Sequence, residues 1–299
     1  MTNKIEIDPK VFDLYDEYCH SQMSRRDFLD RAAMLGIAGG MGVMMAQALL
    51  PNYAKAQLVS FTDERLKASY VTYKSAGGNS KDGFMRGYLV QPKGDGPFPA
   101  VLIVHENRGL NPYIEDVARR AAIEGFLAYA PDALYPLGGY PGNDEDGKIL
   151  QQKLDKDKIF TDMKNAAYFL KNHKLSNGKL GATGFCFGGA VANFLATELG
   201  ADLKASAPFY GSAAKLSDVK NIKAKMLIHY ASDDERVNAM KEDYEKELAK
   251  NNVSFNMHIY PNTKHGFHNN STPRYSKEAA ELAWGRTINL FKENLINNG

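Results

Sequence analysis

Gly184-Phe185-Cys186-Phe187-Gly188-Gly189 joins a short apolar run, Leu180 to Thr183, to a small-residue helix that begins near Ala190. A G-x-nucleophile-x-G turn lifts one side chain clear of a sheet edge, and here that side chain is a thiol. Nucleophilic chemistry at Cys186 then requires a base, an orienting carboxylate and oxyanion donors from elsewhere in the chain.

Around this turn the chain alternates. Ala68 to Lys74 and Phe84 to Gln91 alternate apolar and polar residues about a Gly/Asn/Ser turn, the pattern of two antiparallel strands. Ala100 to Val104 is a continuous apolar run, as expected of a strand covered on both faces. Helical spacing over Ile114, Val117, Ala118, Ala121 and Ala122 leads to a strand from Phe126 to Ala130. Tyr135 to Gly147, rich in Gly, Pro and Asp, reads as a long loop, and a helix follows from about Leu154 to His173. Beyond the Cys186 turn come strands at Leu203 to Phe209, Ala224 to Tyr230 and Val253 to Tyr260, a charged helix from Asn238 to Lys250, and an amphipathic helix from Ser276 to Leu295. The expectation is an α/β fold with an eight-stranded, mostly parallel sheet and helices on both faces.

In such sheets the residues just past the strand carboxyl ends carry the chemistry. Those positions hold His105-Glu106-Asn107-Arg108-Gly109, then Cys186, then Asp233-Asp234, then His265. Nucleophile, acid and histidine in the order Cys186, Asp234, His265 is the α/β-hydrolase order. Imidazole is the usual partner of a catalytic thiolate, and a carboxylate on its far nitrogen fixes the tautomer. Asp233 competes with Asp234 for that role, and the spacing to Val237 favours Asp234. A carboxylate beside a thiol can accept its proton, which makes Glu106 a further candidate. His258, His265 and His268 are too irregularly spaced for a zinc set, so no metal and no cofactor is expected.

With G-x-C-x-G-G at Cys186, Asp234, His265, and Glu106-Asn107-Arg108-Gly109-Leu110-Asn111 in place, the sequence from about Phe84 to Leu295 resembles the dienelactone hydrolase family of α/β-hydrolases. The resemblance implies a cysteine-dependent hydrolase of small esters or lactones, with backbone N–H groups of Asn107 and Phe187 as the oxyanion hole. It also implies that Glu106 contacts the resting cysteine. Two arginines bind the substrate carboxylate in that family's best-known members, and one of those positions is Asn269 here; Arg108 and Arg274 are the candidate substitutes, with Tyr135 and Tyr210 as pocket walls. Alternatives on the same fold are a thioesterase, a peptidase or a non-catalytic binding protein.

A chain of 299 residues with 44% hydrophobic and 24% charged residues can bury a full core. A formal charge of +2 gives no footprint for nucleic acid. The expected partner is a small-molecule ester or lactone. Ser24-Arg25-Arg26-Asp27-Phe28-Leu29 resembles the twin-arginine export signal; Ala32 to Leu50 is apolar, and Ala54-Lys55-Ala56 fits a small-x-small cleavage site. Residues 1–56 are therefore read as a leader, met by the export machinery and directing the protein to the periplasm, and 57–299 as a single catalytic domain. The alternatives are a cytoplasmic protein with an amphipathic N-terminal helix, or a retained membrane anchor.

Overall fold

The computed structural model describes residues 7–21, 23–35, 37 and 41–296. Parts of the expected leader, residues 1–6, 22, 36, 38–40 and the side chain of Lys55, lie outside the described residues, as do 297–299. The chain begins with α1 (Pro9–His20), α2 (Arg25–Met34), α3 (Met41–Ala48) and the single turn α4 (Tyr53–Ala56). The hairpin β1 (Leu66–Lys74) and β2 (Phe84–Pro92) follows, then β3 (Phe98–Val104), α5 (Pro112–Ile123) and β4 (Leu127–Pro131). Next come α6 (Asp144–Gln152), α7 (Lys156–Lys171), β5 (Ser176–Phe185) and α8 (Phe187–Glu198). The chain continues through β6 (Leu203–Phe209), β7 (Lys225–Asp233), α9 (Glu235–Asn238), α10 (Lys241–Lys250), β8 (Phe255–Lys264) and α11 (Lys277–Phe291).

The eight strands form one sheet in the order β1-β2-β4-β3-β5-β6-β7-β8. β1 pairs antiparallel with β2 and β2 with β4; all other neighbours are parallel. The continuous apolar run in β3 has a direct reason. Ala100, Leu102 and Val104 face a core layer shared with α7, α8 and α10. Val101 and Ile103 face the opposite layer, shared with α5 and α11. A strand buried on both faces has no place for polar residues.

Two expected elements differ. The loop expected from Tyr135 to Gly147 is a 3-10 turn at Tyr135–Leu137 followed by α6. Asn143 caps α6 by accepting from Asp146 N, and Asp144, Glu145 and Asp146 in its first turn favour the positive end of the helix dipole. The single helix expected from Asn238 to Lys250 is split into α9 and α10.

The N-terminal helices pack on one another around Val11, Tyr15, Tyr18, Phe28, Ala46 and Leu49. Among the described residues, no helix is long and apolar enough to cross a membrane.

Candidate active site

The parallel strands deliver their carboxyl ends to one edge. β3 ends before Glu106 and Asn107, β5 before Cys186, β6 before Tyr210, β7 before Asp234 and β8 before His265. Cys186 is the junction between β5 and α8, at φ 55°, ψ −111°. A non-glycine residue held there costs about 1 to 3 kcal/mol and persists only where its surroundings over-determine it. The flanking glycines do this. A Cβ on Gly184 would lie 2.2 Å from Gly188 O, and one on Gly188 2.1 Å from Val104 O. The turn closes only because both lack side chains.

His265 donates from Nδ1 to Asp234 Oδ2 at 2.6 Å, both side chains buried. Asp234 Oδ1 meanwhile accepts from Val237 N, capping α9, so the carboxylate is fixed at both oxygens. Asp233 is exposed and pairs with Lys264 instead. His265 and Cys186 form one cluster with His20 of α1, their ligand atoms all within 4.8 Å of one another. Burial pushes the Cys186 thiol up, but the imidazoles of His265 and His20 outweigh it and hold it well below the ordinary thiol value. Burial would lower His265; the facing thiolate and Asp234 raise it to about 9. Both shifts run in the direction of a thiolate–imidazolium pair.

Glu106 is buried, and its Oε2 accepts from Asn269 Nδ2 at 2.9 Å. Burial and the facing Cys186 raise its pKa, with Arg274 and Arg108 opposing. Asn269, where the resemblance implied an arginine, therefore holds the glutamate. Its own Oδ1 accepts from Ser271 N and Oγ. Asn107 and Phe187 line one cavity of about 680 Å³ together with Cys186 and Tyr210. Phe160, Phe194 and Ala213 make its apolar wall.

Arg108 is not exposed. It lies buried, paired with Asp144 at 3.7 Å and stacked over Tyr18. Arg274, half-buried, stacks over Tyr15 and pairs with Asp16. Tyr135 does not wall this cavity: its ring lies under the guanidinium of Arg86, because the turn after β4 directs it back over β2. Tyr210 does line the cavity, its ring 5.0 Å from His265. His268 is stacked on Phe185 and bonded to Tyr113 Oη, a core histidine.

Sequence reasoning missed His20, Asp16 and Lys148. His20 and Asp16 fall in the segment read as a leader, although their i, i+4 spacing puts them on one helix face. Lys148 falls in the segment read as a loop.

Comparison with known proteins agrees with this fold. Residues 85–295 match the dienelactone hydrolase family, and residues 1–36 match a second family described as YqhI-like. Protein usf of Aquifex pyrophilus is 35% identical over 222 residues, covering 71% of this chain and 94% of that one. The dienelactone hydrolase-like promiscuous phosphotriesterase P91, from metagenomic libraries, superposes with a TM-score of 0.65 at 26% identity, over 77% of this chain and 99% of its own. A dienelactone hydrolase from Anabaena variabilis shares the fold at 21% identity and a TM-score of 0.60, over 77% of this chain and 99% of its own. With an eight-stranded α/β sheet, a cysteine elbow and a family match spanning most of the chain, the protein belongs to the dienelactone hydrolase family and is a hydrolase of ester or lactone bonds.

Proposed function

We propose that this hydrolase is cysteine-dependent and works through an acyl-enzyme. The observation that carries the reading is Cys186, held at a positive φ between two obligatory glycines and clustered with a histidine whose far nitrogen is bonded to a buried carboxylate. The Cys186 thiolate attacks the carbonyl carbon, and the oxyanion is held by the N–H groups of Asn107 and Phe187, each such donor contributing about 2.7 to 4 kcal/mol. The C–O bond breaks as His265 gives its Nε2 proton to the leaving oxygen, leaving a thioester on Cys186. His265 then takes a proton from water, hydroxide adds to the thioester, and the acid leaves as the thiolate re-forms. A lactone gives one hydroxy acid; an ester gives acid plus alcohol.

With Phe160, Phe187 and Phe194 lining the cavity beside Lys156, Lys215 and Arg236, the reading favours an acyl group with an apolar body, and a carboxylate on it would meet these cations rather than Arg108 or Arg274. Periplasmic location by twin-arginine export is proposed with it, the chain crossing already folded and keeping residues 1–56.

Rapid acid quenching during the nitrophenol burst from 4-nitrophenyl acetate, followed by peptide mass mapping, tests the intermediate. The acyl group is expected on Cys186. An acyl group on another residue, or a burst that leaves Cys186 unmodified, contradicts the proposal.

A further inference from the structure

The N-terminal segment docks on the catalytic edge through hydrogen bonds from the catalytic domain. The last carbonyls of a helix lack intrahelical donors. Here two of those of α1 are met by the catalytic domain: Lys148 Nζ donates to Tyr18 O at 2.7 Å and Asn107 Nδ2 to Cys19 O at 3.0 Å, while Lys148 also donates to Met23 O, between α1 and α2, at 3.0 Å. Lys148 is 3% exposed, and both of these acceptors belong to the N-terminal segment. Without α1 its ammonium would stand over an open cavity with neither acceptor. Asn107, whose backbone is assigned to the oxyanion hole, uses its side chain to hold α1. Tyr15, Tyr18 and Cys19 are sealed against the domain, with Arg274 and Arg108 over the two rings.

This docking delivers one side chain to the nucleophile. His20 Nδ1 donates to Asp16 O at 2.9 Å and lies 3.4 Å from Asp16 Oδ1, so Nε2 is turned outward, 3.8 Å from Cys186 Sγ. The imidazole rings of His20 and His265 stand edge-on, 4.8 Å between centroids. Asp16, His20 and Cys186 thus repeat, from a helix outside the sheet, the order of Asp234, His265 and Cys186.

We propose that the Asp16–His20 pair of α1 is a second imidazole of the catalytic centre, accepting the Cys186 proton at Nε2 and holding the thiolate before substrate enters, so that the N-terminal segment is part of the working enzyme. The proton leaves Sγ for Nε2 of His20, and His265 remains free to serve the leaving group and water. The groups facing His20 are Asp16, Cys186, His265 and Arg236. Asp16 and the thiolate favour its protonation. Burial opposes it, and so does Arg236, which donates from Nη2 to Nε2 at 3.2 Å and must give up that bond when Nε2 takes the proton. Asp16 and Cys186 outweigh burial and raise His20 to about 10. His20 also walls the 680 Å³ cavity, so α1 bounds the space the acyl group enters.

The inference rests on Cys186 being the nucleophile, and its test reads the thiol itself, so the two can fail separately. In the full-length protein, the rate of Cys186 alkylation by iodoacetamide is followed from pH 4 to 9 for wild type, His20→Gln and Asp16→Asn. Loss of one imidazole is expected to raise the apparent thiol pKa by about one unit and slow alkylation on the acid side about tenfold, with Asp16→Asn shifting the same way by less. The acid limb of kcat/KM for 4-nitrophenyl acetate should move with it. Lys148→Met, which removes the donor to Tyr18 O and Met23 O without touching the thiol, should shift the profile in the same direction as His20→Gln. An unchanged profile in His20→Gln overturns the proposal, and so does faster alkylation, which would make α1 a plug over a finished site.

Discussion

Cys186 sits in backbone geometry that its neighbours impose. Gly188 shows how tightly, because a methyl group there would meet Val104 O at 2.1 Å, backbone against backbone with no side chain able to yield. Gly188→Ala should therefore cost about 3 kcal/mol, read as a fall in the urea midpoint at unchanged slope; a loss below about 0.5 kcal/mol would show that the elbow is slacker than described. The residues of the Asp234–His265 pair were legible because each follows its strand by one or two positions, and strand ends converge in a parallel sheet. The pairing of Asn269 with Glu106 was not legible. It joins positions 163 residues apart, and nothing local marks an asparagine that replaces a cation as a donor to a buried carboxylate. Tyr135 was misplaced for the opposite reason: it follows a strand end, but the 3-10 turn carries its ring to Arg86.

At the scale of elements, periodicity located every strand of the sheet, since full burial leaves little but apolar residues in β3 and β4. It failed where capping decided the outcome. The Asn143 cap with three acidic residues after it starts α6 inside a stretch whose glycines and prolines read as loop. Asp234 likewise starts α9 four residues before the helix expected there, so the residue that orients His265 is also an N-cap. The N-terminal helices make contacts that the reading of residues 1–56 as a leader does not include. Arg25 and Arg26 open α2 behind a Ser24–Asp27 capping box, and α1 buries Tyr15 and Tyr18 against the domain. A twin-arginine signature and an amphipathic docking helix draw on the same residue types. Separating them takes the identity of the groups that receive α1, foremost Lys148 and Asn107, and those come from distant parts of the chain.

Across the whole molecule, the layered α/β sheet followed from the sequence because alternation and apolar strands constrain the topology strongly. The distribution of buried histidines did not. His105 lies in the core beside the site, its Nε2 accepting from Ala133 N, and burial pushes it down to about 4. Its folded value is thus below the ordinary value of about 6.5. The stability it contributes by staying neutral is complete above that value and is lost as the pH falls towards 4. His105→Gln should flatten the dependence of unfolding free energy on pH in this window by about 1.4 kcal/mol per unit relative to wild type. Parallel wild-type and variant curves would contradict it.

The central claim is that Cys186 is the nucleophile of this hydrolase. It is tested most directly by kcat/KM for a small activated ester in wild type and Cys186→Ala, with circular dichroism establishing that both are folded. A fall of at least about a thousandfold is predicted, leaving only the residual contribution of the oxyanion hole and binding. Turnover within about tenfold of wild type would contradict the account.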